Sequence, residues 1–311
     1  NRFDFAFFQR SLENFCMNAS LKKTILGCLL LVSFSTFSQS EFLWTYGTSQ
    51  SDQGVGVIAT SDGGYITSAN SYGDLLSNGA VNNLLIKLDA DGNVEWSVAA
   101  DTNLSNETNI VVEDPLDNGF IVAAYEKGGA TQNYPDGNAW IYKVDANGNL
   151  LWSRVFGGDN NAIASSDEFD DIIATSDGNF MAIGYSEGNS YTATNGQYDC
   201  VLYKFDSNGN ILFARNIGNA STNYGQAIIE ASDGNFVIGG ADFNGGTLDI
   251  MLCKIDAAGN VIWSNAYGGS GFSFVGSQFA NYGNTRPSHT GLIETSDGGY
   301  AVAGYTDGYG V

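Results

Sequence analysis

Three observations in the 311-residue sequence predict an all-β repeat fold, a β-propeller of four-stranded antiparallel blades. A segment of about 56 residues recurs along the chain. Every copy carries glycine turns, and an aromatic residue returns at a fixed place in each. Composition agrees. Forty glycines against three prolines, with 13% aromatics, fit tight turns joining strands, and 43% hydrophobic residues argue against disorder.

In chain order, residues 1–16 lie upstream of a Met17 start, and residues 17–39 read as a secretory signal. Lys22 and Lys23 precede an apolar run from Ile25 to Phe34, and small polar residues follow to Gln39. That run is too short to span a bilayer and fits an export signal. The expected location is therefore secreted or cell-surface, with no membrane insertion after signal removal. Cys28 sits inside the apolar run rather than after it, which argues against lipidation. Residues 40–311 are the repeats, and Trp44-Thr45-Tyr46-Gly47 is a lone copy of the segment that ends each later repeat. Cys200 and Cys253 fall in different repeats at non-equivalent strand positions, which predicts free, buried thiols.

The first anchor is the turn Ser61-Asp62-Gly63-Gly64-Tyr65. It returns at 176–180, 232–236 and 296–300, and in looser form as Leu116-Asp117-Asn118-Gly119-Phe120. The second begins at Lys87, Lys143, Lys204 and Lys254. Each lysine is followed by an aspartate two positions on, then Gly-Asn, then an aromatic: Trp96, Trp152, Phe213 and Trp263. The first copy reads as strands over 55–60, 64–71, 83–88 and 94–98. Tight turns join strand one to two and three to four, with glycine supplying positive φ and Asp or Asn bonding its own backbone. An aromatic on the last strand, covering roughly 150–250 Å² for an indole, would wedge against the next blade. Small residues four positions after each anchor aromatic (Ala69, Ala124, Gly184, Gly240, Gly304) predict close approach between neighbouring sheets. Five copies of strands one and two but four of strand three give about five blades, with an incomplete fifth. That count predicts truncation from a ring of six to eight.

These motifs resemble the propeller-like repeats of secreted proteins from Bacteroidetes and related marine bacteria, and the resemblance covers residues 42–311. It implies export, often as type IX secretion cargo with a C-terminal sorting domain, and a surface or extracellular role. It supplies no catalytic residues. Asp89, Gly92 and Trp96 also resemble the tryptophan-docking motif of quinoprotein dehydrogenases, which implies blade packing rather than chemistry. The sialidase Asp-box does not match, because Gly92 lies one residue too far from Trp96.

Charge narrows the partners. From Ser40 onward there are 32 acidic and 8 basic residues, a net charge of −24. Such a surface repels phosphate backbones and anionic headgroups, so nucleic acid and membrane surfaces are not expected partners. His289 is the sole histidine, which excludes multi-histidine zinc sites and leaves any Ser-His-Asp triad resting on one loop residue. The Asp89–Gly92 stretch lacks the glutamate of a calcium loop and reads as a turn. Asp167, Glu168, Asp170 and Asp171 depart from the repeat and form the candidate Ca²⁺ cluster; no cofactor is otherwise required. The strand lysines, each two residues from an aspartate on one strand face, read as ion-paired or snorkelling at the blade edge. Arg154, Arg215 and Arg286 read as packing residues in preference to a carboxylate clamp.

Topology points to a binding face. Both tight turns fall at one end of the strands, so the longer connections, at 72–82, 126–138, 187–198 and 270–291, fall at the other. They carry Tyr72, Tyr134, Tyr191, Tyr198, Phe272, Phe279 and Tyr282, and loops held on a rigid scaffold are where binding usually resides. The expected function is a non-enzymatic binding or adhesion module that holds a glycan or surface protein on this face. The alternatives are a quinoprotein-like or glycan-processing enzyme, tested by cofactor-dependent turnover, and a spacer for a downstream domain.

Overall fold

A computed structural model describes residues 46, 51–72, 82–100, 105–127, 137–156, 167–186, 198–219, 221–244, 246–268, 273–275 and 291–306. All belong to the compact unit Trp44–Val311. The upstream segment, the signal and Trp44 lie outside the described residues. So do Tyr134, Tyr191, Phe272, Phe279, Tyr282, Arg286 and His289.

The described chain is all-β, and it forms consecutive four-stranded antiparallel sheets in the manner of propeller blades. Blade 1 is β1 (Asp52–Ala59), β2 (Tyr65–Ser71), β3 (Asn82–Leu88) and β4 (Val94–Ala100). Blade 2 is β5 (Ser105–Glu113), β6 (Phe120–Lys127), β7 (Gly137–Val144) and β8 (Leu150–Phe156). Blade 3 is β9 (Asp167–Ala174), β10 (Phe180–Ser186), β11 (Asp199–Phe205) and β12 (Ile211–Ile217). Blade 4 is β13 (Thr222–Glu230), β14 (Phe236–Asn244), β15 (Thr247–Ile255) and β16 (Val261–Tyr267). A fifth unit contributes β17 (Ser273–Val275), β18 (Leu292–Glu294), β19 (Tyr300–Val302) and β20 (Gly304–Thr306). β17 pairs with β20 and β18 with β19, so 273–275 is strand where the sequence predicted connection.

Each first strand packs against the first three strands of the preceding blade, while the fourth strands are largely solvent-facing at the outer edge. Apolar side chains from facing blades make the core, with Phe156 and Ile141 of blade 2 against Phe169 and Tyr203 of blade 3. The outer aromatics complete this packing. The Trp96 indole N–H donates to the Ala146 carbonyl at 2.9 Å, and Trp152 donates to the Ser207 carbonyl at 2.9 Å, each in the next blade's last turn. Gly148, Gly209 and Gly259 hold positive φ there, and a Cβ on any of them would stand within 3.1 Å of the docked ring, including that of Phe213. Trp263 rests instead on Tyr300 of the fifth unit, 6.1 Å between centroids.

The turns follow the sequence logic. Asp89, Asp145, Asp206 and Asp256 each accept from backbone N–H groups two and four residues on, and from the following asparagine's amide. They are thereby committed to their own turns, and the lysines pair elsewhere. Lys87, Lys204 and Lys254 meet Asp62, Asp177 and Asp233 of the first turn at 2.6–2.7 Å. Lys143 meets both Asp114 and Asp117 at 2.6 Å and donates to the Ser207 hydroxyl of the next blade at 2.6 Å. The first-turn serines also join blades: Ser61, Ser176 and Ser232 donate through N–H and hydroxyl to Glu113, Glu230 and Glu294.

The small residues after the anchor aromatics allow close approach both between and within sheets: Ala124 packs with Ile66 and Leu85 of blade 1, and a Cβ on Gly225 of blade 4 would lie 3.0 Å from the Gly184 carbonyl of blade 3. The first strand of each complete blade carries a β-bulge, at Val55, Asn109, Asp170 and Gln226. Ala69, Ala124, Gly184 and Gly240 stand opposite these bulges. A Cβ on Gly184 would lie 1.8 Å from the Glu168 carbonyl, and one on Gly240 would lie 1.9 Å from that of Tyr224.

Candidate functional site

The strand ends away from the tight turns carry a feature that the sequence reading missed. In every complete blade three polar residues stand in register across strands one, two and three. They are Asp52, Ser71 and Asn82 in blade 1, and Asn106, Glu126 and Asn138 in blade 2. Blade 3 has Asp167, Ser186 and Asp199; blade 4 has Asn223, Asp242 and Asp249. A signal for them exists, since Ser51-Asp52, Ser105-Asn106, Ser166-Asp167 and Thr222-Asn223 recur at strand-one starts. In blades 1, 3 and 4 members of the rung are hydrogen-bonded: Ser71 donates to Asp52 at 2.5 Å, Asn216 to Asp199 at 3.1 Å, and Asn223 to Asp242 at 3.0 Å.

Between blades 3 and 4 the same end gathers three half-buried tyrosines. Tyr198 and Tyr224 stack at 5.6 Å and 29°, and Tyr185 stands edge-on to both, at 5.8 and 5.2 Å. The Tyr185 hydroxyl donates to Glu168 at 2.8 Å, which fixes the ring. Tyr198 was legible as a loop aromatic; Tyr185 and Tyr224, being strand residues, were not. Tyr72, 40% exposed, lies at the same end of blade 1 and is not part of this group.

The four carboxylates proposed for Ca²⁺ do not converge. Asp167 belongs to the polar rung, and Glu168 holds Tyr185. Asp171 accepts from its neighbour Ile172 N–H at 2.8 Å and from Ile228 N–H of blade 4 at 2.9 Å. Asp170 is the bulge residue; burial and the neighbouring Asp171 charge push its pKa up to about 8. Gln226, the equivalent residue in blade 4, accepts from Val275 N–H of the fifth unit at 3.1 Å. Among the described residues no group of three His, Cys, Asp or Glu side chains could hold a metal.

A cleft of about 270 Å³ opens in the joint between blades 3 and 4. Equivalent positions explain it. Facing the outer strand of the preceding blade, blade 2 places Trp140 and Tyr142, and blade 3 places Val201 and Tyr203 against Phe156. Blade 4 offers only Met251 and Cys253, opposite Ile217. Aromatic bulk is lost, and the space at the corresponding joint of blades 2 and 3 is only about 10 Å³. The blade 3–4 cleft is walled on its polar side by Asn219, Asn223 and Asp242.

Both thiols are free and buried. Burial raises the Cys200 pKa well above the ordinary thiol value, and it pushes Cys253 up to about 11 against the Ser264 hydroxyl. Each stays protonated near neutral pH and is a poor nucleophile. Arg154 and Arg215 stack over Trp152 and Phe213 of their own blades, 5.9 and 5.1 Å from the ring centroids, and do not form a clamp.

No family model matches the chain, and no curated protein matches it. Solved structures do show likeness. A protein of unknown function from Bacteroides caccae is 16% identical with a TM-score of 0.31, over 72% of this chain and 85% of that one. A puromycin hydrolase mutant is 12% identical with a TM-score of 0.49, over 82% of this chain but 36% of its own. A luciferin-regenerating enzyme is 13% identical with a TM-score of 0.40, over 74% and 68% of the two chains. None of these likenesses carries a functional argument. Among the described residues, no helix is long and apolar enough to cross a membrane.

Proposed function

We propose that this chain is an exported, surface-acting binding module that holds a neutral glycan at the strand ends opposite the tight turns. The observation that carries the reading is the Tyr185–Tyr198–Tyr224 group between blades 3 and 4. Tyrosine faces stack on the C–H faces of sugar rings, and the buried Asp, Asn and Ser rungs beneath hold the strand ends that carry the rings. A net charge of −22 favours neutral over anionic polymers. The predicted loop aromatics Tyr72, Tyr134, Tyr191, Phe272 and Tyr282 would extend the same face. The test is affinity electrophoresis of the protein with laminarin, xylan and alginate. Retardation by a neutral polysaccharide that Y198A and Y224A each abolish, with fold retained by circular dichroism, is the expected result. Binding unchanged in both variants, or binding of alginate alone, refutes the reading.

A further inference from the structure

We infer that the cleft between blades 3 and 4 is a second binding site, taking a small primary ammonium with a compact apolar body. Three features converge on that chemistry. The first is an anionic group in the wall: Asp242, only 8% exposed, accepts one hydrogen bond on each oxygen, from Asn223 at 3.0 Å and Asn219 at 3.2 Å. A carboxylate has about four lone-pair sites, so two remain for a charge-assisted donor. The second is the floor, where the buried Ile217, Met251 and Cys253 present an apolar surface. The third is what the wall lacks. None of the lining side chains is basic, so an anion would meet Asp242 with no counter-charge.

The tyrosine that precedes the strand-three lysine in blades 2 and 3 (Tyr142, Tyr203) is Cys253 in blade 4, and the difference leaves room for a ligand of modest size. The entrance lies beside the exposed Gly218, Asn219 and Asn265, so entry requires no blade opening. The overall negative charge adds attraction for cations at a distance.

The test uses three probes of equal shape and different charge: cyclohexylammonium, cyclohexanol and cyclohexanecarboxylate, each titrated into the intact protein by calorimetry. Cyclohexylammonium is expected to bind about tenfold or more tightly than cyclohexanol, reflecting one charge-assisted hydrogen bond, and the carboxylate is not expected to bind. D242N should bring the ammonium and the alcohol to similar affinity. C253Y restores the sister-blade residue, fills the cleft and should abolish binding of all three while leaving the melting temperature unchanged or raised. Polysaccharide retardation should survive in C253Y, which separates this site from the tyrosine group. The inference is overturned if cyclohexylammonium does not bind, if the carboxylate binds as well, or if C253Y still binds the ammonium.

Discussion

Lys143 allows the sharpest test of how the blades are held. Its ammonium, 2% exposed, meets Asp114, whose side chain is 0% exposed, and also reaches the Ser207 hydroxyl of blade 3. Burial disfavours the Asp114 charge, yet Lys143, Ser207 and the Leu116 N–H together hold its pKa below the ordinary carboxylate value. In K143M the aliphatic stem is kept and the compensating charge removed, so a buried carboxylate is left with its Ser207 and Leu116 bonds but no counter-charge, at a cost of about 3–5 kcal/mol. The matching K204M leaves Asp177, 50% exposed, free to face water, and the expected loss is about 1 kcal/mol or less. Urea unfolding followed by tryptophan fluorescence measures both. Adding D114N to K143M should recover part of the loss, because the stranded charge is gone. Equal destabilisation by K143M and K204M would refute the reasoning.

Other substitutions probe single features. Asp170 holds its proton to about pH 8, whereas the unfolded chain releases it near the ordinary value. Its own contribution to stability is therefore full below the ordinary carboxylate range and is lost as pH rises toward about 8, and D170N should remove that part of the pH dependence in urea midpoints taken across the range. G184A drives a methyl into the Glu168 carbonyl and should cost about 3 kcal/mol or more by urea unfolding. G234A meets nothing nearby and pays only for its positive φ, about 1 kcal/mol. W152F keeps an aromatic ring but loses the bond to Ser207 and part of the indole's packing, for about 1 kcal/mol or more by thermal melting, and W152A should cost several times more.

Hairpin chemistry made the blades legible. The Asp-Gly and Gly-Asn turns are local, so strands 64–71 and 83–88 were found to within a residue or so of β2 and β3. The first strand of blade 1 was read short, starting at 55 rather than 52, because the bulge interrupts the alternation that marks a strand. Partners set by register were not legible. Lys87 has Asp89 two residues away, yet pairs with Asp62 across two strands, because Asp89 is already spent on its own turn. The polar rungs hid among the many Asn and Asp residues, although their Ser/Thr-Asp/Asn signature recurs. The tyrosine group draws one ring from a loop end and two from neighbouring blades, so only packing brings it together. The cleft comes from a comparison of copies, Tyr142 and Tyr203 against Cys253, and it gains meaning only once those positions are known to face the preceding blade.

Which end of the blades binds can be measured by hydrogen exchange on the protein with and without the polysaccharide that retards it. Slowed exchange at 184–186, 198–201 and 222–226, with none at the Asp62, Asp177 and Asp233 turns, is the predicted result. Protection confined to those turns would contradict the account.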